Sequence, residues 1–343
     1  MRKAVLFKSP QRFKQFKNKL EENGIEVHVL DFNGHEWLSF DYHQVDMLIH
    51  YPIFNFSSNH PQALQEVYDN LTFLHATFPH LKMYPDPGLL KYYNDKYRQY
   101  LFLSHHHYPI PDTVPLFSDK SLDLAEKKLG FPMIVKNRYG AGGGQVFKVH
   151  SARELKGYFD MSRMHLFHAH AIKYFFKEML TKRIFYYWLI KAKKSLYPFF
   201  STPLLAQKFI KIDKDLKTVT GDNAVVEAHW RYQADSSMWK MNIDGGGTGV
   251  WEYVPDEAKS LSLKLARDLD ARWLNIDLMQ SDGQFLISEF SPVWHHYAYK
   301  ENPGFIYRDN YNLDVPLEIS LDLERIIVES LKTAAQNDKK LPS

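Results

Sequence analysis

The stretch LNIDLMQSDGQFLISEFSPVW, from Leu274 to Trp294, constrains the fold more than any other part of the chain. Two apolar runs flank the turn-forming Ser281-Asp282-Gly283, which predicts a β-hairpin and therefore an antiparallel sheet. Each arm carries one acid, Asp277 and Glu289. A carboxylate among apolar neighbours is costly to bury without a partner. Pairing across the hairpin would set the two acids on one face. Two hard oxygen donors so placed suit Mg²⁺, which keeps several waters and completes its shell with substrate phosphates. A pair of acids that each face solvent or a Lys/Arg satisfies the same pattern.

The chain leading to this hairpin has 343 residues, 45% of them hydrophobic and 24% charged, enough for two or three domains with real cores. There is no cysteine, which excludes disulfides, thiolate metal sites and thiol nucleophiles. The net charge of +3 gives no ground for nucleic-acid binding. The apolar run near the N-terminus is too short for a signal peptide, and no run approaches the ~20 residues of a membrane span. A cytoplasmic protein is the expectation.

Strand–helix–strand alternation opens the chain. Strands are expected at 3–7, 25–31 and 45–51, with helices beginning at Ser9-Pro10 and spanning 61–78. This predicts a small parallel α/β domain over 1–86, closed by LKMYPDPG. A helix is expected at 89–106, an extended segment at 108–116, a helix at 121–129 and strands at 131–137 and 146–150. Further strands are expected at 204–210, 216–232 and 239–244. Helices at 256–271 and 318–336 bracket the hairpin.

Between two of these strands lies a second chemical feature. Lys136 ends an apolar strand just before RYGAGGGQ, residues 138–145. Glycines let backbone N–H groups approach a phosphate, and a nearby lysine adds a point charge. The spacing is neither a P-loop nor a dinucleotide fingerprint, because a strand follows instead of a helix. A flap between two strands fits, and so does an ordinary glycine-rich hairpin turn.

In order along the chain, Lys136 with its glycines, AQKFI, DLK, KMN and the acidic hairpin resemble the ATP-grasp superfamily, in particular its ribosomal-protein glutamate ligases, glutathione synthetases and D-alanine ligases. The resemblance covers roughly 84–295. It implies an α/β and α+β architecture: an N-terminal parallel α/β domain, a flap subdomain over 87–206 and a C-terminal subdomain over 207–338. It also implies ATP and one or two Mg²⁺ or Mn²⁺ ions as cofactors, and site residues by position. Lys96, in Asn94-Asp95-Lys96, and Lys136 would contact phosphate, with Gly142, Gly143 and Gly144 as the flap. Gln207, Lys208, Phe209 and Ile210 would form the linker whose backbone reads adenine. Asp215 would contact ribose or substrate, and Lys240 and Asn242 the phosphates. Asp277, Glu289 and Ser291 would hold the metal, with Ser291 where the family pattern E-x-N has an amide. Arg231 would stabilise an acyl phosphate or tetrahedral intermediate; a structural ion pair is the competing reading for it.

The implied activity is ligation of a carboxylate to an amine through an acyl phosphate, on small-molecule or peptide substrates. A small-molecule kinase and a nucleotide-binding regulatory or scaffold protein share the pattern. Residues 163–203 read as an insertion. Its middle, 173–194, carries seven basic residues against one acid and is rich in aromatics. That composition suits a helical hairpin packed on the domain or on a second subunit, an anionic membrane surface or lipid-linked substrate on the inner face, or an acidic polymer. The clusters His105-His106-His107 and His295-His296 lack the spacing of a metal site.

Overall fold

The computed structural model describes residues 1–9, 11–52, 61–140, 146–163, 173, 176–177, 180, 203–233, 239, 241, 247–250, 253–293 and 322–338. Three sheets organise them. The first uses β1 (Arg2–Phe7), β2 (Ile25–Leu30), β3 (Met47–Ile49) and β4 (Lys82–Tyr84) in the order β2-β1-β3-β4, all parallel. β1 is apolar on both faces, with Ala4, Val5, Leu6 and Phe7 at most 1% exposed, as a strand covered on two sides must be. Helices α1 (Phe13–Glu22), α2 (Glu36–Ser39) and α3 (Pro61–Thr77) alternate with its strands. β4 falls within LKMYPDPG, the segment expected to close the domain.

α1 starts later than Ser9-Pro10 predicts. Its N-cap is Arg12, in the left-handed region at φ 56°, while Ser9 Oγ donates to Gln11 O. The reason is tertiary. Arg12 Nη1 lies 2.5 Å from Glu324 Oε1, and its guanidinium stacks over the Tyr51 ring.

The expected helix over 89–106 is broken. A 3₁₀ turn at Leu90–Tyr92 leads to Asn94, left-handed at φ 54°, and α4 begins afresh at Lys96–His105. Asp95 caps it, accepting from Arg98 N at 3.0 Å. The second sheet follows: β5 (Thr113–Leu116), β6 (Met133–Lys136), β7 (Val146–Val149) and β8 (Leu204–Lys208), antiparallel in the order β5-β8-β6-β7. Helices α5 (Asp119–Leu129) and α6 (Ala152–Ser162) accompany it, and Leu122, Ala125, Leu155 and Tyr158 enter its core.

The third sheet is also antiparallel. β9 (Lys214–Gly221), β10 (Ala224–Tyr232), β11 (Thr248–Val250), β12 (Trp273–Ser281) and β13 (Gln284–Ser291) run in the order β11-β10-β9-β12-β13. Leu216, Trp230, Leu274, Ile276, Leu278 and Phe290 fill one face, against α7 (Asp256–Asp268). The hairpin turns at Asp282-Gly283, both at positive φ. Trp239 and Met241 are not in a strand, and the rest of the strand expected at 239–244 lies outside the described residues.

α8 (Leu323–Asp338) packs on the first sheet, not on the third with which sequence order groups it. Leu323, Ile327, Val328 and Leu331 enter the first core. Arg12–Glu324 and Lys19–Asp322 pair the helix with α1. Among the described residues no helix is long and apolar enough to cross a membrane. Of the basic insertion at 163–203, nearly all lies outside them.

Candidate active site

The hairpin register sets Asp277 directly across from Glu289, as the sequence pattern requires. A β-bulge follows at once: Leu278 pairs with Ile287, so Ser288 is the extra residue on β13. β9 lies on the other side of β12 with Lys217 opposite Asp277, and β10 beyond it with His229 opposite Lys217. Four titratable side chains thus share one row across four strands. Arg231 and Asp215 face each other in the next.

The row is tightly coupled. Asp277 Oδ1 accepts from Lys217 Nζ at 3.2 Å, and Asp277 Oδ2 lies 3.1 Å from Arg231 Nη2. Burial alone would raise the Asp277 pKa, but the Arg231 and Lys217 charges outweigh it and hold the carboxyl well below its usual range. Arg231 also grips Asp215 through both carboxylate oxygens at 2.7 Å. Burial opposes its charge, yet Asp277 and Asp215 more than compensate, so its pKa rises. Asp215 thus anchors Arg231 through both of its oxygens. Glu289 is less enclosed: Lys96 Nζ lies 3.5 Å away, and the side chain is 30% exposed.

The break before α4 explains how Lys96 gets there. Asp95 accepts the Arg138 guanidinium through both oxygens, and Lys96 N donates to Arg138 O at 3.0 Å. This clasp fixes the base of the glycine segment to the start of α4. Lys96 Nζ then donates to Gly140 O. Gly142, Gly143, Gly144, Lys240 and Asn242, expected at the phosphates, lie outside the described residues.

Lys136 ends β6 and points at the same place, with Nζ 3.4 Å from Ser288 Oγ. Desolvation in the cleft pulls its pKa down to about 8; Glu289 opposes the shift and Lys96 adds to it. A cavity opens between the second and third sheets, lined by Lys96, Lys136, Leu103, Leu205, Gln207 and Ile287. Gln207 Nε2 donates to Thr113 Oγ1 at 3.2 Å. Lys208 N donates to Asp112 O, while the Lys208 side chain is exposed. Phe209 and Ile210 lead on towards β9, and Lys148 Nζ sits 3.7 Å above the Phe209 ring.

Ser291 is the exception among the expected metal donors. Its Oγ donates to Val293 O at 3.1 Å and accepts from Val293 N at 3.2 Å, closing a local turn. Among the described residues no three His, Asp or Glu side chains converge as an ion site, so the acids contribute a pair. Sequence reasoning also missed Gln99, whose Oε1 accepts from Phe290 N at 3.2 Å and ties α4 to β13. Lys217 was visible only as the last residue of DLK, not as the partner of Asp277.

No protein-family model matches the chain. The alpha-aminoadipate–LysW ligase LysX of Sulfolobus acidocaldarius is 26% identical over 195 residues, 56% of this chain and 58% of that protein. Beta-citrylglutamate synthase B of Mus musculus is 28% identical over 229 residues, 64% of this chain and 47% of that protein. The chain spans about half the length of the curated relatives it matches. The solved ATP-grasp ligase PsnB, complexed with minimal precursor, superposes with a TM-score of 0.58 at 13% identity, over 96% of this chain and 98% of that one. D-alanine–D-alanine ligase from Bacillus anthracis, complexed with ATP, superposes with a TM-score of 0.57 at 14% identity, over 98% and 99%. The fold is the one these solved ATP-grasp structures have, and in sequence the chain is similar to the ligase and the synthase named above.

Proposed function

We propose that this protein is an ATP- and Mg²⁺-dependent ligase that joins a carboxylate to an amine, acting in the cytoplasm on small-molecule or peptide substrates. The observation that carries the reading is the convergence of Lys96, Lys136 and the Asp277–Glu289 pair at one cleft between two antiparallel sheets. The relatives named above are ligases and a synthase, which supports it.

The residues fit a hard divalent cation. Asp277 and Glu289 are in register on one face, partly open to the cleft, with cationic side chains beside both. They would hold Mg²⁺, which when bound neutralises charge on the phosphate oxygens. Lys96 and Lys136 would meet the phosphates of ATP, and the apolar walls at Leu103, Leu205 and Ile287 its base. A substrate carboxylate oxygen attacks the γ-phosphorus, and the bond to ADP breaks. The amine nitrogen then attacks the acyl carbon, inorganic phosphate leaves, and the amine proton passes to solvent. The chain supplies position and charge, not a nucleophile, consistent with its lack of cysteine. Arg231 and Lys217 keep Asp277 ionised throughout, and Arg231 would stabilise the acyl phosphate or tetrahedral intermediate. The expected phosphate roles of Lys240, Asn242 and the glycines remain part of this proposal.

The test is coupled ADP release against a library of carboxylates and amines. Turnover requiring both substrates supports ligation. A stable phosphorylated product without an amine indicates a kinase. Tight ATP binding without turnover under any substrate indicates a regulatory role.

A further inference from the structure

The polar face of the hairpin has a second rung. Asn275 lies directly across from Ser291, next to the rung formed by Asp277 and Glu289. Same-face neighbours along a strand stand ~7 Å apart and cross-strand partners ~5 Å, so Asn275 adjoins the acid pair. The two side chains of this rung differ in what they already do. Ser291 Oγ is used both as donor and as acceptor within its own turn. Asn275 is 2% exposed, and its Nδ2 donates to Val293 O at 2.9 Å. Its Oδ1 is buried and has no hydrogen-bond partner. A buried acceptor without a donor is rare and calls for an explanation such as an ion or a water.

The anchor also gives the orphan oxygen a direction. Val293 lies past Ser291, on the Trp273 side of the rung, and shares the first core with Trp273. The oxygen and nitrogen of an amide diverge from one carbon. Holding Nδ2 on Val293 therefore leaves Oδ1 turned away from Val293, and Asp277 is the neighbour of Asn275 on that face of β12 on the side away from Trp273.

We propose that Asn275 Oδ1 is the third protein oxygen of the cation site formed with Asp277 and Glu289, the place that sequence order assigns to Ser291. The inference rests on the cation reading above. An amide oxygen is a hard donor that adds no charge to a site already holding two carboxylates. Its bond to Val293 fixes it before the ion arrives, as outer contacts of metal ligands do.

The test uses Mn²⁺ as probe, titrated into the full chain with ADP present and followed by electron paramagnetic resonance. Asn275→Ala is expected to weaken Mn²⁺ binding roughly 10–100-fold, and Ser291→Ala to change it less than about threefold. Asn275→Asp, which keeps a ligating oxygen and adds charge but gives up the donor to Val293 O, is expected to bind Mn²⁺ more tightly than Asn275→Ala. Glu289→Gln is the control. If Glu289→Gln loses Mn²⁺ while Asn275→Ala and Asn275→Asp bind as wild type, the Asn275 assignment is overturned and the cation reading stands. If Glu289→Gln also binds as wild type, the cation reading itself fails. The Trp273 indole N–H is buried without a partner on the same face. A water bridging it to Asn275 would give a lower Tm for Asn275→Ala with unchanged Mn²⁺ affinity, and that result too overturns the proposal.

Discussion

The first and third sheets spend buried surface in opposite ways. β1 is apolar on both faces from Ala4 to Phe7, and all four residues belong to the first core. β9, β10, β12 and β13 turn one apolar face to α7, and on the other, beside Val219 and Trp273 of the first core, carry Lys217, His229, Arg231, Asp277 and Glu289. Replacing such a charge grid by apolar residues is often neutral or stabilising, so stability is a poor explanation for it. A ligand that needs those charges is a better one. The contrast teaches that substitutions in the two sheets should separate stability from activity.

The largest separation is expected at Glu289. Glu289→Gln should lower ATP turnover about 10³-fold, the scale of losing a group that stabilises transition-state charge, while Tm stays near wild type because the side chain is partly exposed. Wild-type turnover in this variant would break the functional half of the comparison. Arg231→Ala should cost both properties. It strands Asp215 and Asp277, and a broken buried pair costs about 3–5 kcal/mol, measured by urea unfolding. Leu6→Ala should cost about 2–5 kcal/mol of stability through its cavity and leave kcat per folded molecule unchanged.

A subtler effect is expected at Lys136. Its ammonium is half deprotonated near pH 8 because the cleft desolvates it. Bound phosphate favours the charged form, so affinity for ATP should be level below that pH and fall about tenfold per unit above it, until the pKa of the complex is reached. Calorimetry in buffers of different ionisation enthalpy should detect proton uptake on binding. Lys136→Arg should flatten the profile, because a guanidinium stays charged. Smallest of all, Ser291→Asn should leave turnover within about threefold of wild type, since Ser291 already serves its own turn.

What could be read beforehand follows from the range of each interaction. The hairpin and its facing acids are local, with period-two alternation around a glycine turn, and Asp277 and Glu289 do pair. The strands that flank the glycine segment were equally visible. Everything set by distant contacts was hidden. Arg12 caps α1 because Glu324 holds it, and Asn94 turns the chain so that Asp95 can meet Arg138. The bulge at Ser288, which aims one more side chain at Lys136, leaves no trace in composition or period. Nor does a sequence show that Ser291 spends its hydroxyl on Val293 while the amide across from it spends only its nitrogen.

The seat of α8 on the first sheet has a consequence for synthesis. β1 to β4 emerge from the ribosome early, but the helix that covers part of their apolar surface follows only after both antiparallel sheets. At ~5–20 residues per second, that surface waits for many seconds without its cover. The parallel domain, made before both antiparallel sheets, is therefore finished after them, and its exposed face is where a nascent-chain chaperone would find the most to hold.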